Sequence, residues 1–259
     1  MTDSHATTLD RLPEIGDVAL CMGVFDGVHR GHLVLVQATA RVARERRLRA
    51  VALVFDPHPD EVVRPGSVVP RLAPLHENLR RLSEAGIDEP VGVRFDEALR
   101  ALAATEFLEA LAPAIQVRAL VMSPESAFGR NRSGTPDAME ALGRIAGFHV
   151  ERVETLLTDS DEPISSGRIR RALADDSLDE ANRLLGHPAY LEGMLNPTDE
   201  GSLRLDYHAA LPAAATYRAR TRGATPVEVE LRIRSNGRID LVGAPPGSDR
   251  IALDVLSRA

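Results

Sequence analysis

The hydrophobic positions along the first part of the chain follow two different spacings. Short continuous apolar runs predict buried strands over 17–25, 49–55, 90–95, 117–123 and 149–154. Between these runs, apolar residues recur three and four positions apart and predict helices over 33–47, 74–86, 105–112 and 135–147. Gly86 and Gly147 stand where two of these helices would end. Strands that alternate with helices predict right-handed crossovers and an α/β fold with a doubly wound parallel sheet.

The pattern changes near the C-terminal end. After residue 190 or so, apolar and polar residues alternate in short strand-like runs, at 203–207, 215–220, 227–233, 238–242 and 250–256. Turn residues separate the runs, among them Asn236-Gly237 and the segment 244–249. We therefore predict two domains: an α/β domain over 1–190 and a small all-β, barrel-like domain over 191–259.

Composition narrows the possible functions. The formal net charge is −7 and aromatic residues make up 3% of the chain, which argues against a nucleic-acid partner. The sequence contains no lysine, so all 31 basic residues are arginine. This excludes Schiff-base catalysis on lysine and the phosphate-binding loop that ends in Gly-Lys-Ser/Thr. A phosphate must then be held by arginine, histidine, hydroxyls, backbone N–H groups or metal.

Other features bear on location. Cys21 is the single cysteine, so an internal disulfide is excluded and a reducing cytoplasm is the simplest location. No apolar run approaches the length needed to cross a bilayer, and the first ten residues lack the pattern of a signal peptide. We expect a cytoplasmic protein with small-molecule partners and no membrane partner; the oligomeric state stays open.

The stretch "GVFDGVHRGH", residues 23–32, contains the candidate chemistry. It lies between the first predicted strand and the first predicted helix, at the sheet edge where ligands bind in such folds. His29 and His32 would share one helix face, and Gly31 would leave the surface between them open. Unpaired N–H groups and the positive dipole end at a helix N-terminus favour phosphate.

Two imidazoles aimed at a phosphate can stabilise charge that develops in a transition state. A zinc site is not expected, since no further cluster of cysteine or histidine follows. The alternative is structural: one histidine caps the helix and the other fills space.

The same stretch resembles the His-x-Gly-His signature of the nucleotidyltransferase superfamily, and the longer string resembles the bacterial bifunctional riboflavin kinase/FAD synthetase family. Three further motifs match in order: "FDPHP" at 55–59, "FGRNRSG" at 128–134 and "ISSGRIRRAL" at 164–173. The segment 71–111 also follows the family's pattern. The resemblance covers about residues 15–190 and implies a Rossmann-like nucleotidyltransferase domain, followed by a degenerate riboflavin kinase-like β domain.

The resemblance implies adenylyl transfer: the phosphate of FMN attacks the α-phosphorus of Mg-ATP and gives FAD and pyrophosphate. Mg²⁺ would be bound mainly by the substrate phosphates. The implied catalytic residues, which bind and stabilise the phosphates, are His29, His32, Ser166 and Arg168. The implied ATP-binding residues are Gly23, Phe25, Asp26, Gly31, Ser165 and Arg170. The implied acceptor-binding residues are His58, Glu125, Phe128 and Arg132, although His58 between two prolines could instead only shape its loop.

The chain departs from the family pattern on the acceptor side. Glu125 stands where a shorter Asp or Asn is usual, and Met122 replaces a glycine. Gly167 replaces a threonine after the serine pair. The family's kinase motif, Gly-Arg-x-Leu-Gly-x-Pro-Thr-Ala-Asn, is also lost: the corresponding region contains Asn196, Pro197 and Thr198 in a different order. The β domain is shorter than a complete kinase barrel, and we expect no riboflavin kinase activity.

Three hypotheses follow. The first is an FMN adenylyltransferase without kinase activity. The second is an adenylyl- or cytidylyltransferase with a different phosphorylated acceptor, suggested by Met122, Glu125 and Gly167. The third is a nucleotide- or flavin-binding protein without turnover, which the intact His29, Gly31 and His32 disfavour.

Overall fold

The computed structural model describes residues 6–153, 158–196, 201–244 and 249–259. The chain forms two compact units, Met1–Val69 with Leu75–Pro163 and Pro70–Pro74 with Ile164–Ala259. We call them the first unit and the second unit. These units are not the two domains predicted from the sequence, 1–190 and 191–259, and those domain bounds stay a prediction.

A parallel sheet of five described strands forms the centre of the first unit. The strands are β1 Gly16–Gly23, β2 Arg49–Asp56, β3 Glu89–Arg94, β4 Ile115–Met122 and β5 His149–Arg152. Their order is β3-β2-β1-β4-β5, and every neighbouring pair is parallel. The predicted strands and the doubly wound fold are therefore confirmed. The last predicted strand included residue 154, which lies outside the described residues.

Helices connect these strands. They are α1 Arg30–Arg46, α2 Pro59–Val63, α3 Leu75–Glu84, α4 Glu97–Ala101, α5 Ala104–Leu111 and α6 Pro136–Ala146. Gly147 is the C-cap of α6, in the left-handed conformation that glycine adopts without strain. The short helices α2 and α4 were not predicted, because five residues are too few to establish a helical period.

Each face of the parallel sheet has its own hydrophobic core, because successive side chains of a strand point to opposite faces. One core gathers Cys21 and Ala52 with Val36 of α1 and Leu82 of α3. The other gathers Leu20, Leu53 and Leu120 with residues of α5 and α6, among them Leu111. Full burial of one such leucine contributes roughly 1.5–3 kcal/mol, so the two cores hold the sheet and its helices together.

Met122 belongs to the second of these cores and is almost completely buried at the end of β4. Met122, which replaces a glycine of the family pattern, therefore packs in a core, and its effect on the acceptor stays a prediction. The last residue of a central strand packs inside the unit because its neighbours on the sheet face are apolar.

The second unit contains two helices and an antiparallel sheet. The helices are α7 Ser166–Ala174 and α8 Leu178–Leu185. Before them in the chain, a short hairpin of β6 Thr158–Asp159 and β7 Glu162–Pro163 ends the first unit. The six described strands of the antiparallel sheet are β8 Ala189–Leu195, β9 Leu203–Leu205, β10 Ala215–Thr221, β11 Glu228–Ile233, β12 Ile239–Val242 and β13 Arg250–Arg258. Their order is β12-β11-β10-β13-β8-β9. The N–H of Leu241 donates to the carbonyl of Gly201, and Ser202 pairs with Asp240, so the two edges nearly close the predicted barrel.

Strand β8 was not predicted, although it lies inside this sheet between β13 and β9. Its sequence carries Glu192 at a position that the fold buries. Arg250 pairs with Glu192 at 2.5 Å, and the hydroxyl of Tyr190 donates to the same carboxylate at 2.8 Å. Long-range pairing stabilises this buried charge, and a local apolar pattern does not reveal such pairing. The predicted turn at Asn236-Gly237 is confirmed, with Gly237 at φ 81°. The predicted turn at 244–249 lies partly outside the described residues. Pro197 and Thr198 lie wholly outside them.

Candidate active site

The order of the parallel sheet places two loops at a crevice. The chain leaves β1 toward β2 on one side and leaves β4 toward β5 on the other. In open α/β sheets, ligands bind outside the carboxyl ends of the strands at the point where the order reverses. The loops after β1 and after β4 therefore border the candidate active site, and these loops carry predicted site residues.

The loop after β1 has an unusual backbone. Phe25, Gly27 and Val28 have φ angles of 50°, 77° and 41°. Glycine adopts such angles freely, whereas a buried aromatic or β-branched residue does so only where the surrounding structure holds it there. The side chains of Phe25 and Val28 are both buried, at 1% and 3% exposure. This tight turn directs the next residue, His29, to the N-cap of α1.

His29 and His32 form a stacked pair at the start of α1. Their ring centroids lie 3.6 Å apart with 16° between the planes. The backbone N–H of His32 donates to Nδ1 of His29 at 3.3 Å, which assigns the proton of a neutral His29 to Nε2. The ring of Phe25 meets His32 edge-on at 5.2 Å. The helix begins at Arg30, three residues before the apolar period that predicted it, so both histidines lie at its N-terminus. The cap formed by His29 agrees with the structural alternative, and the role of the pair in catalysis stays a prediction.

The electrostatic state of His32 follows from its surroundings. Burial, and after it the charge of a protonated His29, lowers the pKa of His32 well below 6.5. Its Nδ1 is buried and has no hydrogen-bond partner among the described residues. Buried polar atoms in native proteins are nearly always paired, so this nitrogen is an exception to the usual pattern.

The lowered pKa predicts a specific dependence of stability on pH. The unfolded chain takes up a proton on His32 near pH 6.5, whereas the folded chain does not. The contribution of His32 to the free energy of unfolding is therefore complete above pH 6.5 and is lost as the pH falls below that value. For one such group the loss amounts to about 1 kcal/mol at pH 5.5. Urea unfolding measures the effect: between pH 7.5 and 5.5 the free energy of unfolding should fall by about 1 kcal/mol less in His32→Gln than in the wild type. The exposed His208 offers the control His208→Gln, and an unchanged pH dependence in His32→Gln would contradict the assignment.

The serine pair lies at the start of α7. Ser165 is the N-cap of this helix, and its hydroxyl accepts from the backbone N–H of Arg168 at 3.3 Å. Ser166 is the first helical residue. These residues belong to the second unit, whereas His29 and His32 belong to the first. Their predicted approach to one triphosphate stays a prediction.

The arginines of α7 have protein partners. Arg168 is nearly buried, and its Nη2 pairs with Oε1 of Glu180 at 2.8 Å. Arg170 donates from Nε to the carbonyl of Pro70 at 2.6 Å. Arg168 is therefore not part of a solvated helix face. Both guanidinium groups are held in place, and their contact with ATP stays a prediction.

Two predicted acceptor residues line one cavity of the first unit. The cavity has a volume of about 680 Å³, and Glu125, Arg132, Asp137 and Arg152 supply its charged groups. Nη2 of Arg132 donates to the carbonyl of Glu125 at 3.1 Å, so the predicted pair is in direct contact. Arg152 pairs with Asp137 at 2.5 Å and closes one side.

Phe128 and Gly129 show why the loop after β4 contains its glycines. The loop closes on itself through a bridge between Phe128 and Gly134. Gly129 has φ 74°, and a Cβ there would lie 2.5 Å from the backbone nitrogen of Ala104. A larger residue would therefore displace the loop that carries Arg132.

Four of the six phenylalanines form an aromatic row in the first unit, in which successive rings meet edge-to-face. The centroid distances are 5.6 Å from Phe95 to Phe55, 6.3 Å from Phe55 to Phe107, and 5.6 Å from Phe107 to Phe128. Phe95 follows the end of β3, Phe55 stands near the end of β2, and Phe128 lies in the loop after β4. Three half-buried rings thus gather at the ligand-binding edge of the sheet, where a planar ring could contact them.

The remaining predicted residues lie close to this edge. Gly23 ends β1, Asp26 is buried in the loop that follows, and Gly31 lies in the first turn of α1. His58 follows β2 and caps α2, where its Nδ1 accepts from the backbone N–H of Asp60 at 3.1 Å. Shaping of the loop by His58 is therefore observed, and its contact with an acceptor stays a prediction.

Comparison with known proteins decides the family. A sequence profile of the FAD synthetase family matches residues 13–168, more than half of the chain. The chain belongs to the FAD synthetase family.

Individual relatives of this FAD synthetase family member are similar over most of its length. The bifunctional riboflavin kinase/FMN adenylyltransferase of Escherichia coli (strain K12) is 37% identical over 193 residues, which cover 74% of this chain and 61% of the relative. The protein of the same name from Listeria monocytogenes is 32% identical over 209 residues, covering 80% of this chain and 65% of the relative. The chain thus spans less than two thirds of the length of these relatives.

A solved structure extends the comparison to the fold. The crystal structure of a macrolide-efflux protein from Streptococcus pneumoniae is similar to this family member with a TM-score of 0.83. The match covers 98% of this chain and 89% of the other, at 22% sequence identity. At that identity the likeness shows the fold alone.

Two kinds of feature are absent from the described residues of this family member. Its described helices include none that is long and apolar enough to span a membrane. The described part of the chain also contains no group of three His, Cys, Asp or Glu side chains that could hold a metal ion.

Asn78 of α3 was missed by the sequence analysis of this family member. The backbone N–H of Gly27 donates to its Oδ1 at 2.9 Å, across 51 residues of sequence, and both residues are buried. A signal did exist: Leu75, Asn78, Leu79 and Leu82 follow the spacing of a buried helix face. A lone amide on such a face indicates a specific partner.

Proposed function

We propose that this chain transfers adenylate from ATP to the phosphate of FMN and releases pyrophosphate. The observation that carries the proposal is the stacked pair of His29 and His32 at the N-terminus of α1, in a chain of the FAD synthetase family. The similarity to proteins named bifunctional riboflavin kinase/FMN adenylyltransferase supports this acceptor.

The chemistry asks for positioning and charge stabilisation rather than for a base. A phosphate oxygen of FMN, already ionised near pH 7, forms a bond to the α-phosphorus of ATP. The bond from that phosphorus to the bridging oxygen breaks, and its electron pair leaves with pyrophosphate. In such in-line transfer, charge spreads over oxygens that preorganised donors stabilise. His29, through Nε2–H, and His32 would be those donors, aided by the positive dipole end of α1.

The other predicted residues have supporting roles in the proposal. Ser165 and Ser166 with Arg168 or Arg170 would hold the triphosphate, and Gly23, Phe25, Asp26 and Gly31 would line the nucleotide. Phe25 is buried, so its ring would act by backing His32. Magnesium would enter on the nucleotide phosphates. Since the described residues form no site of their own for it, no step is assigned to the ion.

The aromatic row supports a flavin as the acceptor. An isoalloxazine ring is planar and aromatic with an apolar dimethylbenzene end, and the half-buried rings of Phe55, Phe95 and Phe128 offer the contacts that such an end needs. His58 and Arg132 would hold the phosphate-bearing side of the acceptor. The single buried Cys21 is in keeping with action in the cytoplasm.

The second unit is proposed to have no riboflavin kinase activity. The region that corresponds to the family's kinase motif lines a cavity of about 820 Å³ with Arg204, Tyr207 and His208. The described lining also includes Asn196 and Ser202, and the sequence of this region contains no consecutive Pro-Thr-Ala-Asn. Without that threonine and asparagine, the metal and the nucleotide of the kinase reaction lose two of their ligands.

One observation favours a second candidate, transfer to a different phosphomonoester. The cavity at Glu125 and Arg132 contains four charged side chains and no aromatic ring in its described lining. An acceptor with a polar or charged body would match this lining better than a flavin. In that case the aromatic row is only part of the core.

A single assay tests the proposal. The purified protein is mixed with Mg²⁺, ATP or CTP, and a panel of phosphomonoesters that includes FMN; pyrophosphate and FAD are then measured. We expect FAD and pyrophosphate in equal amounts with ATP and FMN, and no FMN from riboflavin and ATP. Glu125→Asn, the residue type usual in the family, is the matched variant and should improve FMN use.

The outcomes separate the hypotheses. Pyrophosphate released only with another phosphomonoester would replace FMN by the second candidate. No release with any acceptor would leave a binding protein and would overturn catalysis. Formation of FMN from riboflavin would contradict the proposed loss of kinase activity.

A further inference from the structure

We propose that Asn78 is a positioning residue for adenylyl transfer, because it holds the loop that places His29 and His32. The inference rests on the proposed function, but the contact on which it depends is a feature of the first unit alone. It assigns a catalytic consequence to a side chain on a helix that bears no other predicted site residue.

The loop after β1 needs an external restraint. Phe25 and Val28 both have positive φ angles, which non-glycine residues rarely adopt. Such a backbone persists only when its surroundings over-determine it. Within this turn, the N–H of Gly27 is bound by the carboxamide oxygen of Asn78 at 2.9 Å.

Asn78 itself is rigidly held. It is 3% exposed and lies on α3, between Leu75 and Leu82 on the helix face that packs on the sheet. Its neighbour Glu77 pairs with Arg81 at 2.6 Å inside the same helix. A restraint anchored on a buried helix does not shift when the loop does, so it can fix the loop's geometry.

The geometry of the loop passes directly to the imidazoles. Val28 is followed at once by His29, whose ring stacks on His32 at 3.6 Å. Phe25, at the other end of the turn, touches the ring of His32. A relaxed turn would therefore displace both rings, and a misplacement of about 1 Å at a reacting group can lower the rate about 100-fold.

The test uses three substitutions of Asn78 and one control. Asn78→Leu keeps the size but leaves the buried N–H of Gly27 without this acceptor, whereas Asn78→Asp keeps the acceptor oxygen. Asn78→Ser withdraws the acceptor oxygen from the N–H of Gly27, because the serine side chain is one carbon shorter, and it replaces the leucine variant if that protein does not fold. Leu111→Val perturbs the core on the opposite face of the sheet without touching the loop.

We expect Asn78→Leu to lower kcat at least about 10-fold while KM for ATP changes less than about threefold, since the lost positioning acts on the transition state. Asn78→Asp should retain kcat within about threefold, and Leu111→Val within about twofold of the wild type. A second readout is the nitrogen NMR spectrum of the histidine rings. It should show the Nε2–H tautomer of His29 in the wild type and in Asn78→Asp, and a mixture in Asn78→Leu.

Two results would overturn the inference: kcat of the folded Asn78→Leu or Asn78→Ser variant within about twofold of the wild type, or unchanged His29 signals in that variant. The wild type is measured in the same assay. If it forms no FAD and releases no pyrophosphate, the proposed function has failed, and the His29 signals still decide whether Asn78 positions the loop.

Discussion

Replacement of His32 by alanine is expected to lower kcat for adenylyl transfer by about 100- to 1,000-fold, because it removes a preorganised donor at the developing charge. The imidazole of His32 stacks on His29 and contacts Phe25, so its loss also removes the contact that orients the ring of His29. The helix should stay intact, because its N-cap is His29 rather than His32.

The measurement is the initial rate of pyrophosphate release at saturating ATP and FMN, with circular dichroism as the check on folding. His149→Ala removes an exposed histidine of the same unit and should leave the rate within about twofold of the wild type. A folded His32→Ala protein with the wild-type rate would remove the histidine pair from the mechanism. The adenylyl-transfer proposal would then lose the observation that carries it.

Replacement of Glu77 by leucine is expected to destabilise the protein by about 3–5 kcal/mol, because it removes a carboxylate that pairs with a buried guanidinium. Glu77 is 3% exposed, and Arg81, at 8% side-chain exposure, pairs with it at 2.6 Å. Removal of one member of a buried ion pair costs far more than the pair itself contributes. The free energy of unfolding in urea measures the effect.

Arg80 provides a matched control for this ion pair. It binds the same carboxylate at 2.7 Å, but its side chain is 44% exposed. Arg80→Ala should therefore cost at most about 1 kcal/mol, as exposed ion pairs do. Equal losses for Arg80→Ala and Glu77→Leu would show that burial does not determine the strength of this cluster. Glu77 and Asn78 are thus adjacent residues with different expected effects, one on stability and one on kcat.

The predicted site residues are divided between the two units of the structure. The stacked histidines, the aromatic row and the cavity at Glu125 all lie in the first unit, so their geometry is directly described. The serine pair and the arginines of α7 lie in the second unit. Nucleotide-bound crystals would test whether both groups meet one triphosphate, as the family pattern implies.

The sequence by itself determined the α/β fold, the order of strands and helices, and the position of the histidine pair. These features are local: the apolar period identifies a strand or a helix, and the histidine pair lies between the first predicted strand and the first predicted helix. Only the start of α1, at Arg30 rather than Leu33, differs. The all-β character of the C-terminal region is local in the same sense. The family motifs added the predicted reaction.

Only the tertiary structure decided which distant polar groups meet. Asn78 reaches Gly27 across 51 residues, and Arg250 reaches Glu192 across 58, so neither contact leaves a trace in local periodicity. The same holds for Met122: the motif comparison showed only that it replaces a glycine on the acceptor side, and the structure shows that it packs in a core of the first unit. The physical reason is that burial and hydrogen-bond partners depend on how elements pack, whereas the apolar period determines only what each element is.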